Sequence, residues 1–203
     1  MMKKSFFMRT YNLNIYLVLF SFLTGLLGWL LDFLASTIDL TLPIALDPSQ
    51  VNDYLAMGSH YFYVAMSYSL GILSASITIE VLNRVRFDNP FNYFKSIYYT
   101  FKLRSFLTQR ENLEKVTTID NQIIATYNPI NGSFNRCAHK SVVDIQEDEI
   151  TVFIKVPRDQ QGQKILGDMT SQLKEEVSSQ NPDYYFSAPN RVRNSLWLVG
   201  KRR

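Results

Sequence analysis

The sequence predicts a membrane protein: a two-helix transmembrane hairpin, then a juxtamembrane amphipathic helix, then a small cytoplasmic α+β domain in which one helix covers a mostly antiparallel sheet. Two long uncharged apolar runs predict the hairpin, and lysine and arginine lie outside these runs but not between them. Short alternating runs beyond residue 116 predict the domain. We therefore expect a hairpin at 1–82 with helices at about 13–35 and 60–82, a basic aromatic helix and linker at 83–115, and the domain at 116–203.

The first two elements are the apolar runs Ile15–Leu31 and Tyr61–Ile79, neither of which contains a charged residue. Each approaches the roughly 20 residues that a helix needs to cross a hydrocarbon core of about 30 Å. A buried core helix is one alternative, but a chain of 203 residues is short for burying two such runs. Another alternative makes residues 1–36 a cleaved signal peptide, although the run is long and lacks a clean cleavage site.

Charge around the two runs predicts their orientation. Lys3, Lys4 and Arg9 precede the first run, whereas Asp32–His60 carries four aspartates and no lysine or arginine. Because cytoplasmic flanks of membrane helices carry the excess of lysine and arginine, we expect a multi-pass protein of the cytoplasmic membrane. Both termini are then cytoplasmic, and a short outer loop joins the helices.

Small residues repeat at helical spacing within both apolar runs. Ser21 and Gly25 are four apart in the first run, and Ser67, Gly71 and Ala75 are four apart in the second. Small residues on one face let membrane helices approach closely. The two stripes therefore predict helix-packing faces, either for each other, for a second copy of the chain, or for a partner membrane protein.

The third element follows the second run at Asn83–Arg104. Asp88–Pro90 predicts a break and a helix start, since proline suits the first turn of a helix. An aromatic stripe at spacings of three and four comes next: Phe91, Phe94, Tyr98, Phe101. Five basic residues accompany the stripe: Arg84, Arg86, Lys95, Lys102, Arg104. Rings at the headgroup level and cations near anionic lipid are typical of an interfacial helix, so we assign these five residues to the membrane interface. Contact with DNA and packing on the soluble domain are the alternatives.

The remaining elements are five short strands and one helix. Their predicted ranges are strands at Ile123–Asn128, Ser141–Gln146, Glu149–Val156, Tyr184–Ser187 and Ser195–Val199. The helix follows from a stripe at spacings of three and four, Leu166, Met169, Leu173 and Val177, and ends before Pro182. A turn is predicted at Pro129–Ser133, because Asn131-Gly132 is a strong turn signal.

The sequence offers little chemistry, and we expect a non-enzymatic protein without cofactors or metal. It contains no phosphate-binding glycine loop and no paired cysteine motif. Cys137 is the single cysteine, and it shares a strand face with His139 if that segment is a strand. A thiolate–imidazole pair can be nucleophilic, but no third orienting group accompanies it. The basic end Lys201–Arg203 suits either a solubilising tail or contact with lipid or DNA.

The layout resembles the N-terminal portion of FtsK/SpoIIIE-type coupling ATPases of Gram-positive conjugative elements. The resemblance rests on Asn83–Asn89 after the second apolar run, on the segment from Glu149 through Val177, and on Ser195–Gly200. It implies a membrane hairpin, a basic juxtamembrane stretch and a small α+β domain. The family continues into a nucleotide-binding motor, whereas this sequence stops at Arg203.

The resemblance therefore implies an adaptor that recruits or positions a separately encoded DNA-transfer ATPase at the membrane. Membrane lipid and that ATPase, or another secretion-channel protein, are the expected partners. A second copy of the chain is a further possible partner, and DNA is contacted only indirectly or weakly. The alternative is a general membrane scaffold or sensor unrelated to DNA transfer.

Overall fold

The computed structural model describes residues 3–38, 48–109, 115–117, 123–125 and 129–203. These residues form two compact units. The hairpin unit is Arg9–Leu82, and the α+β unit joins residues 3–8 to Asn83–Arg203. The helices are α1 Phe6–Ile38, α2 Pro48–Phe87, α3 Phe91–Leu107, α4 Pro129–Ala138 and α5 Gln160–Gln180. The strands are β1 Lys115–Thr117, β2 Ile123–Ala125, β3 Val142–Ile145, β4 Glu149–Lys155, β5 Tyr184–Phe186, β6 Asn190–Val192 and β7 Ser195–Arg202.

The two N-terminal helices are long and apolar enough to cross a membrane. They exceed the predicted ranges of 13–35 and 60–82, since α1 has 33 residues and α2 has 40. Residues 48–59, which were expected in the outer loop, belong to α2. Only 17% of the apolar 18-residue stretch in α1 and 6% of that in α2 is buried within the protein. A core helix of a soluble protein would be mostly buried, so packing inside the protein does not account for this apolar surface.

The α+β unit is built on an antiparallel sheet in the order β3-β4-β7-β5, with β6 also paired to β7. Alternate residues of the central strand β4, Ile150, Val152 and Ile154, are buried against α5, which contributes Leu173 and Val177 to the same core. The predicted small antiparallel sheet with a covering helix is therefore confirmed. A separate two-stranded sheet pairs β1 with β2, and residues 126–128 of the strand predicted at 123–128 lie outside the described residues.

Helix α4 occupies the positions at which the sequence predicted a turn, Pro129–Ser133. The helix begins at Pro129, and proline is well suited to the first helical position. Phe134 and Ala138 lie four residues apart and are both buried in the core of the sheet. Burial of this pair outweighs the local turn preference of Asn131-Gly132, so the sheet is covered by more than the one helix expected.

The opposite face of the sheet carries large aromatic residues. Phe153 of β4 and Trp197 of β7 are buried, with ring centroids 5.1 Å apart in an edge-on arrangement. The Nζ atom of Lys4 lies 3.5 Å from the centroid of the Phe153 ring, a cation–π contact. Phe7 is buried and meets the ring of Tyr93 edge-on at 5.6 Å. Residues 3–8 thus form part of the α+β unit, although Phe6, Phe7 and Met8 are also the first residues of α1.

Candidate membrane-interface site

Helix α3 is attached to the edge strand β3 by side-chain hydroxyl groups. The amide of Val143 donates to Thr100 Oγ1 at 3.0 Å, and the amide of Ile145 donates to Ser96 Oγ at 2.9 Å. One helical turn further on, Arg104 Nε donates to the carbonyl oxygen of Ser141 at 2.9 Å. Four helix residues rise about 6 Å, close to the length of two strand residues, so the spacings match. The helix therefore satisfies backbone groups that an edge strand would otherwise expose.

The end of α2 and the residue that follows it are attached to the same part of the sheet by a buried ion cluster. Arg84 is 4% exposed and donates to Asp144 Oδ1 at 2.5 Å, to Asp88 Oδ2 at 3.1 Å and to the carbonyl oxygen of Ile145 at 2.8 Å. Asp88 Oδ1 accepts from the amide of Glu147 at 2.8 Å. The two carboxylates compensate the guanidinium, and the cluster ties the end of α2 to the β3–β4 turn.

The five basic residues predicted at the membrane interface therefore divide into two groups. Arg86, Lys95 and Lys102 are exposed. Arg84 is buried in the ion cluster, and Arg104 is half-buried on the carbonyl oxygen of Ser141. Assigning Arg84 to a lipid-facing role is inconsistent with this burial, because its guanidinium is enclosed by protein carboxylates. Three of the five cations remain available to a membrane surface.

The outward face of α3 is dominated by aromatic rings. The four residues of the predicted stripe are between 61% and 72% exposed: Phe91, Phe94, Tyr98, Phe101. Lys95, Lys102 and Ser105 complete this face, which we call the aromatic face. One side of the helix therefore packs on the domain, which was one of the alternatives, and the other side exposes rings and lysines. A surface with so much exposed aromatic area is typical of an interaction site.

A polar cavity of about 520 Å³ opens beside the aromatic face. Its walls come from α3, the β3–β4 turn, the α5–β5 connection and the end of β7. The lining residues are Asn89, Asn92, Lys95, Tyr98, Tyr99, Ile145, Glu147, Gln180, Asn181, Pro182, Asp183, Tyr184 and Arg202. The sequence analysis missed this cavity, because its walls come from segments more than 100 residues apart.

Two tyrosines fix the walls of the cavity. The hydroxyl of Tyr99 donates to the carbonyl oxygen of Gln180 at 3.2 Å. The hydroxyl of Tyr184 lies 3.1 Å from the carbonyl oxygens of both Gln146 and Glu147. Burial raises the pKa of the Tyr184 phenol above its usual value. The cavity is thus held by hydrogen bonds between separate elements.

The helices of the hairpin unit pack along small and hydroxyl residues. Ser21 and Thr24 of α1 and Ser59 and Ser69 of α2 are buried, each held by a hydrogen bond to its own helix backbone. Half-buried and buried positions recur at alternating spacings of three and four on both helices, the period of paired helices with a left-handed twist. The residues in this seam are therefore mostly not the small residues that were predicted from a uniform spacing of four.

The predicted packing residues accordingly have different fates. Ser21 lies in the seam, and a Cβ atom added at Gly25 would meet Met66 Sδ at 2.9 Å. Ser67, Gly71 and Ala75 are exposed on the hairpin, and a Cβ at Gly71 would meet nothing within 4 Å. The first stripe therefore serves the contact between α1 and α2, whereas the second stripe faces away from α1.

The remaining candidates for chemistry do not form a site. Cys137 lies in the last turn of α4 and His139 in the turn that follows, so the strand that would align them is absent at these positions. Within the described ranges, no group of three or more histidine, cysteine, aspartate or glutamate residues could hold a metal ion. No protein-family model, curated protein or solved structure matches the chain.

Proposed function

We propose that this chain is a non-enzymatic anchor and adaptor of the cytoplasmic membrane that positions a separately encoded DNA-transfer ATPase. The observation that carries the membrane-anchor part of the proposal is the contact of Lys4 with Phe153 and of Phe7 with Tyr93. Lys4, just before α1, and Phe7, in the first turn of α1, are thereby held on the unit that follows the second apolar run. If both helices cross the membrane, the N-terminus and the α+β unit lie on the same side, which the surrounding lysines and arginines make the cytoplasm.

The aromatic face supports seating of the α+β unit against lipid. Helix α3 begins only three residues after α2 ends, so its start lies near the end of a membrane-crossing helix. Phenylalanine and tyrosine rings favour the headgroup level, and Lys95 and Lys102 complement anionic lipid. The other surfaces of the unit then remain open to a soluble partner. The choice of a DNA-transfer ATPase as this partner rests on the layout that resembles the coupling ATPases.

Topology can be tested with single cysteines, because the chain has only Cys137. In a Cys137→Ser background, Asp53→Cys should react with a membrane-impermeant maleimide in intact cells. Arg203→Cys should react only after lysis. Labelling of Arg203→Cys in intact cells would refute the cytoplasmic assignment.

Lipid seating can be tested with spin labels on the same background. A label at Phe94 or Phe101 in bilayer nanodiscs should be accessible to oxygen and shielded from a polar nickel reagent. A label at Tyr185, which is 71% exposed on β5, serves as the control and should show the reverse. Equal nickel accessibility at Phe94 and Tyr185 would exclude the lipid-seated orientation.

Recruitment of the ATPase is tested by co-purification. The full chain, solubilised from membranes, should retain the DNA-transfer ATPase encoded nearby. Deletion of the gene for this chain should impair DNA transfer. Intact transfer in the deletion strain, together with no retained ATPase, would refute the adaptor function and favour a general scaffold.

A further inference from the structure

The polar cavity beside the aromatic face carries two cations and two carboxylates. Arg202 and Glu147 form one exposed pair, with NH1 and Oε1 3.6 Å apart. Lys95 and Asp183 line the same cavity and form no salt bridge with any residue that the structure describes. The cavity therefore offers one unpaired positive and one unpaired negative group.

This charge balance selects the chemistry of a ligand. A purely anionic group would be attracted by Lys95 but repelled by Asp183, and a purely cationic group would meet the reverse arrangement. A group carrying both signs can pair with both residues. The side-chain amides of Asn89, Asn92 and Asn181 add polar partners to the walls. A volume of about 520 Å³ lies within the roughly 300–1,000 Å³ typical of small-ligand sites.

The position of the cavity next to the aromatic face further restricts the class of ligand. Tyr98 and Lys95 both belong to the aromatic face, and both also line the cavity. If the aromatic face lies at the membrane surface, as the proposed function requires, the cavity opens at the depth of phospholipid headgroups. We infer that the cavity binds the phosphoethanolamine headgroup of a membrane phospholipid, with the phosphate at Lys95 and the primary ammonium at Asp183.

The test uses the full chain in detergent, so it does not depend on topology or on recruitment of the ATPase. Native mass spectrometry should show retained phosphatidylethanolamine in preference to phosphatidylcholine and phosphatidylglycerol. Phosphatidylcholine has a quaternary ammonium that cannot donate a hydrogen bond to Asp183, and phosphatidylglycerol has no ammonium. Equal retention of the three lipids would overturn the inference while leaving the adaptor proposal standing.

Variants separate the two halves of the headgroup. Lys95→Gln should weaken phosphatidylethanolamine binding about tenfold or more, because a charge-assisted contact to the phosphate is lost. Asp183→Asn should abolish the preference over phosphatidylcholine. Lys102→Gln is the matched control, since Lys102 is exposed on the same helix but does not line this cavity. Equal effects of Lys95→Gln and Lys102→Gln would overturn the site.

Competition with a soluble headgroup compound tests whether the bound headgroup belongs to a membrane lipid. Free phosphoethanolamine, added in the millimolar range, should compete only weakly, because it lacks the acyl chains that the aromatic face would contact. If phosphoethanolamine in solution binds as tightly as the lipid, the assignment to a membrane lipid is overturned.

Discussion

Arg84 and Arg86 lie two residues apart but have opposite environments. Arg84 is buried between Asp88 and Asp144, and Arg86 is exposed. Counting charges near an apolar run assigns both residues to the membrane flank, because a partner 60 residues away in sequence is invisible to that count. The sequence therefore predicted where positive charge accumulates, but not which of the basic residues is buried in an ion cluster within the protein.

Substituting these two arginines separates their roles. Arg84→Gln should lower the free energy of unfolding by about 3–5 kcal/mol, because it leaves Asp144 buried without a compensating charge. Arg86→Gln should change it by less than about 0.5 kcal/mol, as expected for an exposed position. Denaturant titration of the full chain in detergent gives both values, and equal stability of the two variants would contradict the buried cluster.

Thr100 offers a test of the hydroxyl contacts with β3. Thr100→Val keeps the shape of the side chain but leaves the Val143 amide without an acceptor, at a cost of about 1–3 kcal/mol. Hydrogen–deuterium exchange of the β3 amides should accelerate accordingly. Ser105→Ala on the exposed side of the same helix is the control and should leave exchange unchanged.

At the scale of elements, helix α3 shows what a periodic pattern can predict. Asp88–Pro90 and the aromatic spacing predicted a helix starting after Pro90, and α3 spans Phe91–Leu107. The apolar stripe did not predict the buried side, because Ser96 and Thr100 are buried through hydrogen bonds rather than hydrophobicity. Two hydroxyl residues four apart were the available signal, but they acquire meaning only beside an edge strand.

The seam of the hairpin unit makes a contrasting prediction for two glycines. A Cβ at Gly28 would lie 3.0 Å from the Tyr63 ring, whereas one at Gly71 would meet nothing within 4 Å. Gly28→Leu should therefore separate α1 from α2 and broaden the distance distribution between spin labels placed on the two helices. Gly71→Leu should leave that distribution unchanged. If Gly71→Leu instead alters the oligomeric state of the full chain, the stripe of Ser67, Gly71 and Ala75 contacts another helix.

At the scale of the whole molecule, the division into parts was harder to predict than the parts themselves. Apolar runs and alternating strands are local patterns, and both were predicted. Membership of residues 3–8 in the α+β unit depends on contacts with Phe153 and Tyr93, which lie far along the chain. Residues 83–107 of the expected segment 83–115 likewise belong to the same compact unit as the sheet, because α3 packs into its core.

Attachment of the N-terminus should contribute to stability. Phe7→Ala removes a buried ring that meets Tyr93 and should cost about 3–5 kcal/mol. Phe6→Ala, at a neighbouring position that is 39% exposed, is the control and should cost less. Limited proteolysis of the full chain in detergent should release N-terminal peptides faster from the Phe7 variant. Identical cleavage of both variants would show that the N-terminal residues are not held there.

The two sides of α3 obey independent requirements, which has a consequence for divergence and engineering. The inward side packs on the sheet through its hydroxyls, Arg104 and the core residues Leu103 and Leu107, whereas none of the outward rings is buried in the core. Mutations on the outward side can therefore accumulate without first being compensated elsewhere in the sheet. The same scaffold could acquire a new surface preference by exchanging four aromatic and two lysine side chains, while its hydroxyl side stays constant.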